Sequence, residues 1–318
     1  FSKGASVVRI DSVEIARTND DPMRLVADGT LARGGGSDFQ LEVSGLNTEQ
    51  VLHVAQLERL DAGGHIDLDL SVGGSWEAPV IQSRFRINGA RQGSMELTRV
   101  VGDMTYRNRE LRFDVDGLDG DRAALRATGT VPVDLTLREV EQRILDAPMN
   151  VDLVADSLDA AIGLSYVTAL EGVVGTVSGD VSLGGTPGDP APEGRLTLSD
   201  AAWSIEAIGV RHTGVNGEVT LRGDRSAEVE LSATGSGRSD VTGTVLFRPF
   251  SDPVLDLNFA FERFLAVSRP DVTGSISGSF DLGGRYSLPL AEGALTVDEG
   301  AINVDELQRA AGVVNLND

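Results

Sequence analysis

The sequence predicts an all-β fold, an elongated antiparallel sheet with one apolar and one polar face. Along most of the chain apolar and polar residues alternate with a period of two, which is typical of strands that bury one face. Gly, Asp and Asn residues, which favour turns, separate the alternating stretches. In addition, a cassette of strand, two glycines and strand returns at long intervals, which indicates a repeat architecture.

The alternation is clear in two stretches that are far apart in the sequence. In HIDLDLSV (residues 65–72) every second residue is apolar, and PVLDLNFAF (residues 253–261) repeats the pattern with Leu and Phe. The polar positions carry mostly Asp, Glu, Ser, Thr and Arg, as expected for antiparallel strands with one solvated face. We expect about twenty such strands.

Four short stretches are predicted to interrupt the strands as helices, the first with Asn47 or Thr48 as its cap. Each is two or three turns long, too short to be stable without packing against the sheet. They are residues 47–59, 137–145, 158–170 and 305–312.

The cassettes divide the chain into repeats. Their glycine pairs begin at positions 73, 184 and 283, so one unit is about a hundred residues long. The second and third cassettes, SGDVSLGG and SGSFDLGG, align without gaps. We therefore expect one elongated repeat segment with the approximate units 1–99 (partial), 100–213 and 214–318.

The glycine pairs predict a local backbone feature at the end of a strand. Two glycines permit a sharp bend or a bulge, and Pro187, Pro190 and Pro192 stiffen the loop that follows the second pair. A bend at the lip of a groove and an ordinary long hairpin both fit this pattern.

Composition excludes several classes of function. The net charge of −22, with Lys3 as the only lysine, argues against binding to nucleic acid. The absence of cysteine excludes disulfides, thiolate catalysis and cysteine zinc sites. There is no run of 18 apolar residues, so no transmembrane helix is expected. The sequence has no initiating Met or signal peptide and stops abruptly, so we expect it to be a segment of a longer protein.

No catalytic or metal site is predicted. The aspartates of DVDGLDGD (residues 114–121) lack the spacing of a calcium loop, which favours a solvated turn. His53, His65 and His212 are isolated from one another and are assigned to surface or strand positions. No nucleophile, base and orienting residue can be combined, so we expect a protein that is not an enzyme and that needs no cofactor.

The cassette pattern resembles the central repeats of the TamB family, AsmA-like proteins of the Gram-negative envelope. The resemblance rests on a glycine, alternating apolar residues, a glycine pair, a proline loop and a returning strand. It implies a folded-over antiparallel sheet, or β-taco, with an apolar inner groove. It also implies a periplasmic location, with the parent protein anchored in the inner membrane.

The resemblance further implies a function and partners. Proteins of this family are expected to carry phospholipids between the inner and outer membranes and to support outer-membrane protein assembly. The acyl chains of phospholipids would be the ligand, and an outer-membrane barrel would be the protein partner. The family's membrane anchor and partner-docking region are not recognisable in this sequence, so that partner would be reached through regions outside it.

The apolar face is the candidate site. A sheet with one apolar face must cover it, close on itself or hold something apolar, and a trough of Val and Leu would hold acyl chains at about 0.8 kcal/mol per buried methylene. The alternative is a structural or adhesive β-repeat in which the two walls touch and form a solid core. The residues alone leave both open, and the resemblance favours the groove. The predicted groove residues are Ile66, Leu68, Leu70, Val72, Phe113, Val115, Val181, Leu183, Leu196, Leu198, Val219, Leu221, Val229, Leu231, Val245, Phe247, Leu255, Leu257, Phe259, Phe261, Ile276, Phe280, Leu282, Leu295, Val297, Ile302 and Val304.

Overall fold

The structure is a computed structural model that describes residues 7–18, 22–49, 52, 62–92, 95–161, 171–235, 237–249 and 251–304. Seventeen strands lie within these ranges, and they belong to a single sheet. The strands are β1 (Val7–Arg17), β2 (Met23–Ala32), β3 (Ser37–Asn47), β4 (Ala62–Gly74), β5 (Pro79–Gln92), β6 (Met95–Arg107), β7 (Glu110–Asp119), β8 (Arg122–Pro132), β9 (Asn150–Asp159), β10 (Glu171–Thr186), β11 (Asp189–Ile205), β12 (Val210–Arg222), β13 (Ser226–Ala233), β14 (Arg238–Leu246), β15 (Val254–Ser268), β16 (Val272–Arg285) and β17 (Leu288–Ile302).

The strands pair in chain order. From β1 to β9 and again from β11 to β17, each strand is antiparallel to the next one along the chain. One short 3₁₀ turn, Glu206–Ile208, joins β11 to β12. The predicted all-β antiparallel fold class is confirmed.

The chain contains two compact units. The first unit comprises Phe1–Asp156 and Asp180–Ala191, and the second comprises Ser157–Gly179 and Pro192–Asp318. Strands β1 to β8 lie in the first unit, and strands β12 to β17 lie in the second.

In the first unit the register places apolar residues in rows across the strands. One such row consists of Leu68, Phe85, Gly102, Val115 and Ala127, on five successive strands. A side chain at Gly102 would come within 2.7 Å of the Phe85 ring and 2.9 Å of Val115. The adjacent row, Asp69, Arg84, Asp103 and Asp114, is charged and lies on the opposite face.

The second unit follows the same rule. Its central apolar row consists of Gly217, Leu231, Val241, Phe259 and Phe280, on β12 to β16. The adjacent row carries Glu218, Glu230, Thr242, Asn258 and Asp281. Period-two alternation in the sequence therefore becomes two chemically distinct faces of the sheet.

The three glycine pairs lie at hairpins. The second glycine of each pair has a positive φ: +78° at Gly74, +82° at Gly185 and +91° at Gly284. At Gly74 a Cβ would come within 2.4 Å of the Ala78 carbonyl oxygen, and the space at Gly185 is equally restricted, at 2.5 Å from Asp189. The glycines therefore permit the strand to enter a tight turn. Of the two structures that fitted the sequence pattern, a bend at the lip of a groove and an ordinary hairpin, this geometry is that of the hairpin.

The helix predicted at residues 137–145 is wrong. This segment is irregular, and Ile144 forms an isolated bridge with Val133. Its hydrogen bonds run to groups outside the segment: the Leu137 N–H donates to the Trp76 carbonyl, the Leu145 N–H donates to the Pro132 carbonyl, and the Arg143 guanidinium donates to the carbonyls of Asp134 and Thr136. The other predicted helices, 47–59, 158–170 and 305–312, lie largely outside the described residues.

Candidate functional site

The apolar face of the second unit brings together most of the residues that were predicted for it. In register, Leu196, Val219 and Val229 lie opposite one another on β11 to β13. Leu257 and Leu282 continue this face on β15 and β16. The face extends to β17, where Leu295 lies opposite Gly278 and Val297 opposite Ile276. These residues form one surface because the strands are antiparallel and in register.

The predicted residues of the first unit also share a face. Leu70, Ser83, Met104 and Phe113 form one row on β4 to β7, next to the row that contains Leu68 and Val115. Val181 and Leu183 lie on β10. Three predicted residues lie at strand ends: Phe247 follows β14, Ile302 ends β17, and Val304 lies beyond it.

The exposure of these residues separates an open face from a packed core. Of the 27 predicted residues, all within the described ranges, Val72 alone is buried, at 8% exposure. Leu295, Val297, Ile302 and Val304 are exposed, and the remaining ones are half-buried. Side chains in a solid sandwich core would be mostly buried. This pattern favours an accessible apolar face.

A distinct apolar cavity of about 340 Å³ lies on this face of the second unit. Leu231, Phe259, Phe261, Ile276 and Phe280 line it and were predicted for the groove. The lining residues that sequence reasoning missed are Trp203, Ile205, Ile208, His212, Val215, Ser232, Ala233, Ser239, Val241, Phe264 and Ala266.

The aromatic rings in the cavity pack against each other. Phe259 and Phe280 stack with ring centroids 4.8 Å apart and planes 9° from parallel, and Phe261 lies 5.9 Å from Phe280. The His212 ring stacks on Phe264 at 5.2 Å and lies 6.4 Å from Trp203. Because these rings stack on one another, they form an aromatic, apolar wall of the cavity.

β-Bulges position these rings. In a regular strand, residues three apart point to opposite faces. The register of β15 shifts between Phe261 and Phe264, where Arg263 has a φ of +42°, so both phenylalanines line the cavity. A second shift on β11 aligns Trp203 with His212 of β12. The bulges re-aim side chains that strict alternation would place on the polar face.

His212 is the titratable group among the described residues that line the cavity. It is 9% exposed, and burial lowers the pKa of its imidazole, which is therefore neutral near pH 7. Its ring contacts are with Trp203 and Phe264, and within the described residues its imidazole has no hydrogen-bond partner. The hydroxyl-bearing Ser239, also 9% exposed, lines the same cavity.

A recess of the first unit has a different chemistry. It measures about 530 Å³, and its lining combines apolar residues such as Leu68 and Phe85 with carboxylates and arginines of the polar face. These groups pair with each other: Arg126 with Asp114 at 2.9 Å, and Arg84 with Asp103 at 3.2 Å. Exposed pairs of this kind contribute about 0–1 kcal/mol each. Asp114 therefore belongs to a surface ion pair.

These features define a class of protein: an antiparallel sheet with an accessible apolar face and a polar, acidic reverse face. Residues 228–318 match the family model described as the TamB C-terminal domain. This match confirms the resemblance to the TamB family. The match is to that family's C-terminal domain, whereas the sequence pattern resembled its central repeats. The matched region contains β14 to β17 and the phenylalanines of the cavity.

The other comparisons give no further relatives. No curated protein and no solved structure matches the chain significantly. No helix in the described part of the chain combines the length and the apolar character that a membrane span requires.

Proposed function

We propose that this chain is a non-enzymatic segment of a periplasmic bridge that holds lipid acyl chains for phospholipid transport between the inner and outer membranes. The observation that carries the proposal is the accessible apolar face of the second unit, which is half-buried on β11 to β16 and exposed on β17. The family match supports a role in this class of transport protein.

The chemistry of the face suits a mobile ligand. Its rows away from the cavity are aliphatic, as in Leu196, Val219 and Val229, and provide no directional partner. A buried methylene contributes about 0.8 kcal/mol wherever it lies along such a surface. An acyl chain is therefore held by its length and can move along the face at little cost.

The polar face excludes the same ligand. Opposite the row that contains Val229 and Leu257 lie Glu218, Glu230 and Asp281, among others, and the whole chain carries a net charge of −22. Anionic lipid headgroups are repelled from this surface. Lipid is thus directed to one side of the sheet.

A transfer assay tests the proposal. Donor vesicles containing a self-quenched fluorescent phospholipid are mixed with acceptor vesicles and the purified chain, and dequenching reports transfer. Lipids extracted from the purified protein are identified by mass spectrometry. We expect bound phospholipid and a transfer rate that rises with protein concentration. A protein that is free of lipid, takes none from vesicles and does not accelerate transfer would contradict the proposal and favour a solid-core adhesive repeat.

The edge strand supports a second role, assistance to outer-membrane protein assembly. Among the described strands β17 pairs with β16 alone, and all of its residues are exposed. An unpaired edge can accept a further strand. Because the chain lacks cysteine, a single cysteine at Thr296 can report on this edge, with one at Thr244 of the interior strand β14 as the control. Crosslinking of an unfolded outer-membrane protein to both positions equally, or to neither, would contradict this role.

A further inference from the structure

The aromatic cavity differs from the rest of the apolar face in having a fixed polar group. The aliphatic rows offer an acyl chain no preferred position, whereas the cavity places the His212 imidazole against Phe264 and Trp203. Its volume, about 340 Å³, lies within the range of roughly 300–1,000 Å³ that is typical of small-molecule sites. The cavity is therefore large enough to be a binding site of its own.

His212 needs a hydrogen-bond partner that the described protein does not supply. The residue is 9% exposed and lines the cavity, and its imidazole makes no hydrogen bond within the described residues. A neutral imidazole has one N–H donor and one nitrogen acceptor. Because His212 lines the cavity, an apolar occupant that displaces solvent from the imidazole would leave it unpaired, which is unfavourable. An occupant that bonds to the imidazole is therefore stabilised relative to a purely apolar one.

The cavity lining limits the chemistry of that occupant. His212 is the one titratable residue among the described residues that line the cavity. A phosphate or carboxylate would lose its hydration there without gaining a counter-ion. Phe259 and Phe280 each cover one ring face of the other, which leaves fewer ring faces for a quaternary ammonium. The lining thus fits an uncharged hydrogen-bonding group attached to an apolar chain.

We propose that this cavity is a subsite for the acyl ester of a lipid, in which the His212 N–H donates a hydrogen bond to the ester carbonyl and the stacked phenylalanines contact the start of the acyl chain. The proposal rests on the proposed function, because it takes a lipid to be the ligand. It adds a preferred position for the ligand: a lipid that moves freely along the aliphatic rows is held where its ester group reaches His212. The phosphate end of the lipid remains outside the cavity.

The test uses two ligands that differ only in the carbonyl. Monododecanoylglycerol carries the ester, and 1-O-dodecylglycerol is its ether analogue. Binding is followed by Trp203 fluorescence in a Trp76→Phe background, which leaves Trp203 as the only tryptophan, and the affinities are confirmed by calorimetry. We expect the unmutated cavity to bind the ester about 3- to 10-fold more tightly than the ether, as one net hydrogen bond allows.

Two variants assign the preference to the imidazole. His212→Phe keeps an aromatic ring beside Phe264 and removes the donor, so the ester and the ether should bind with equal affinity. His212→Gln keeps an N–H donor and should retain part of the preference. If His212→Phe fails to fold, His212→Gln together with the ligand pair still measures the preference.

The outcomes separate this proposal from the proposed function. Equal binding of the ester and the ether to the unmutated cavity, or an ester preference that persists in His212→Phe, would overturn the ester subsite and leave the acyl-binding face intact. Failure of both ligands to bind, in a protein that also fails to transfer phospholipid, would overturn both proposals. Failure of both ligands in a protein that transfers phospholipid normally would overturn the subsite alone.

Discussion

Replacing Leu257 by arginine distinguishes an open apolar face from a packed core. Leu257 lies on β15, opposite Gly243 on one side and Leu282 on the other, and it is half-buried. The substitution Leu257→Arg places a guanidinium in the middle of the aliphatic rows. The two architectures predict different costs for this charge.

The expected destabilisation follows from the exposure of the site. Full burial of a leucine side chain is worth about 1.5–3 kcal/mol, so a half-buried one contributes roughly 1 kcal/mol, part of which the arginine stem restores by lying along the apolar surface. We expect Leu257→Arg to lower the free energy of unfolding by about 1 kcal/mol, or the melting temperature by about 2–4 °C. In a solid core an unpaired buried charge would cost about 3–5 kcal/mol, a large part of a total stability of about 5–15 kcal/mol.

The matched control is Thr244→Arg. Thr244 lies on the neighbouring strand β14 but on the polar face, where it is exposed and opposite Glu228 and Asp256. The change in charge is the same, and the acidic neighbours favour it. Melting temperature, urea denaturation and phospholipid transfer are measured for both variants.

We expect Leu257→Arg to remain folded and to transfer phospholipid at least about tenfold more slowly, because a tenfold change requires only about 1.4 kcal/mol of obstruction. Thr244→Arg should behave like the unmutated protein in both respects. A folded Leu257→Arg variant with normal transfer would remove β15 from the lipid path. A variant that unfolds at 25 °C would refute the open-face interpretation.

Three further predictions concern stability. Gly217→Ala should lower the free energy of unfolding by about 1–3 kcal/mol, because its Cβ would lie 2.1 Å from the Glu230 carbonyl oxygen. The control is Gly34→Ala, where no atom lies within 4 Å of the added Cβ. Equal urea midpoints for the two variants would contradict the pairing of β12 with β13. Burial lowers the pKa of His212 in the folded state, so the unfolded chain binds more protons near and below its own histidine pKa of about 6.5, and stability should fall as the pH drops through that value. His212→Phe should remove this part of the pH dependence. Identical melting curves at pH 7.5 and pH 5.5 for the unmutated protein would show that His212 is not buried. EDTA should leave the melting temperature unchanged, and a substantial decrease would reveal a structural metal near the aspartates at 114–121.

The sequence predicted the strands well where a single physical rule governs them. Alternation with a period of two depends only on which face each side chain occupies, so the rows through Leu68 and Phe259 could be read directly from the residues. The glycine pairs were also informative, because a positive φ at Gly74, Gly185 and Gly284 is a local requirement of the turn.

The prediction failed where distant groups determine the local structure. The stretch 137–145 was predicted to be helical, but its Leu137 N–H donates to the Trp76 carbonyl and its Leu145 N–H to the Pro132 carbonyl. The bond to Trp76 depends on tertiary structure that the local sequence does not encode. The cavity was only partly foreseen because the bulges at Phe261–Phe264 and near Trp203 break the alternation. His212 was assigned simply to a surface or strand position. The spacing of three in FERF (residues 261–264), with two charged residues between the phenylalanines, is a signal from which this bulge could have been predicted.

Site-specific photocrosslinking along β15 tests the central claim most directly. A photoreactive amino acid is placed in turn at each position from 254 to 261 in cells, and the adducts are analysed for lipid. We expect lipid adducts at Leu255, Leu257, Phe259 and Phe261, and none at the polar-face positions Asp256 and Asn258. Adducts at both sets of positions, or at neither set in a folded protein, would contradict the claim that one face of this sheet holds acyl chains.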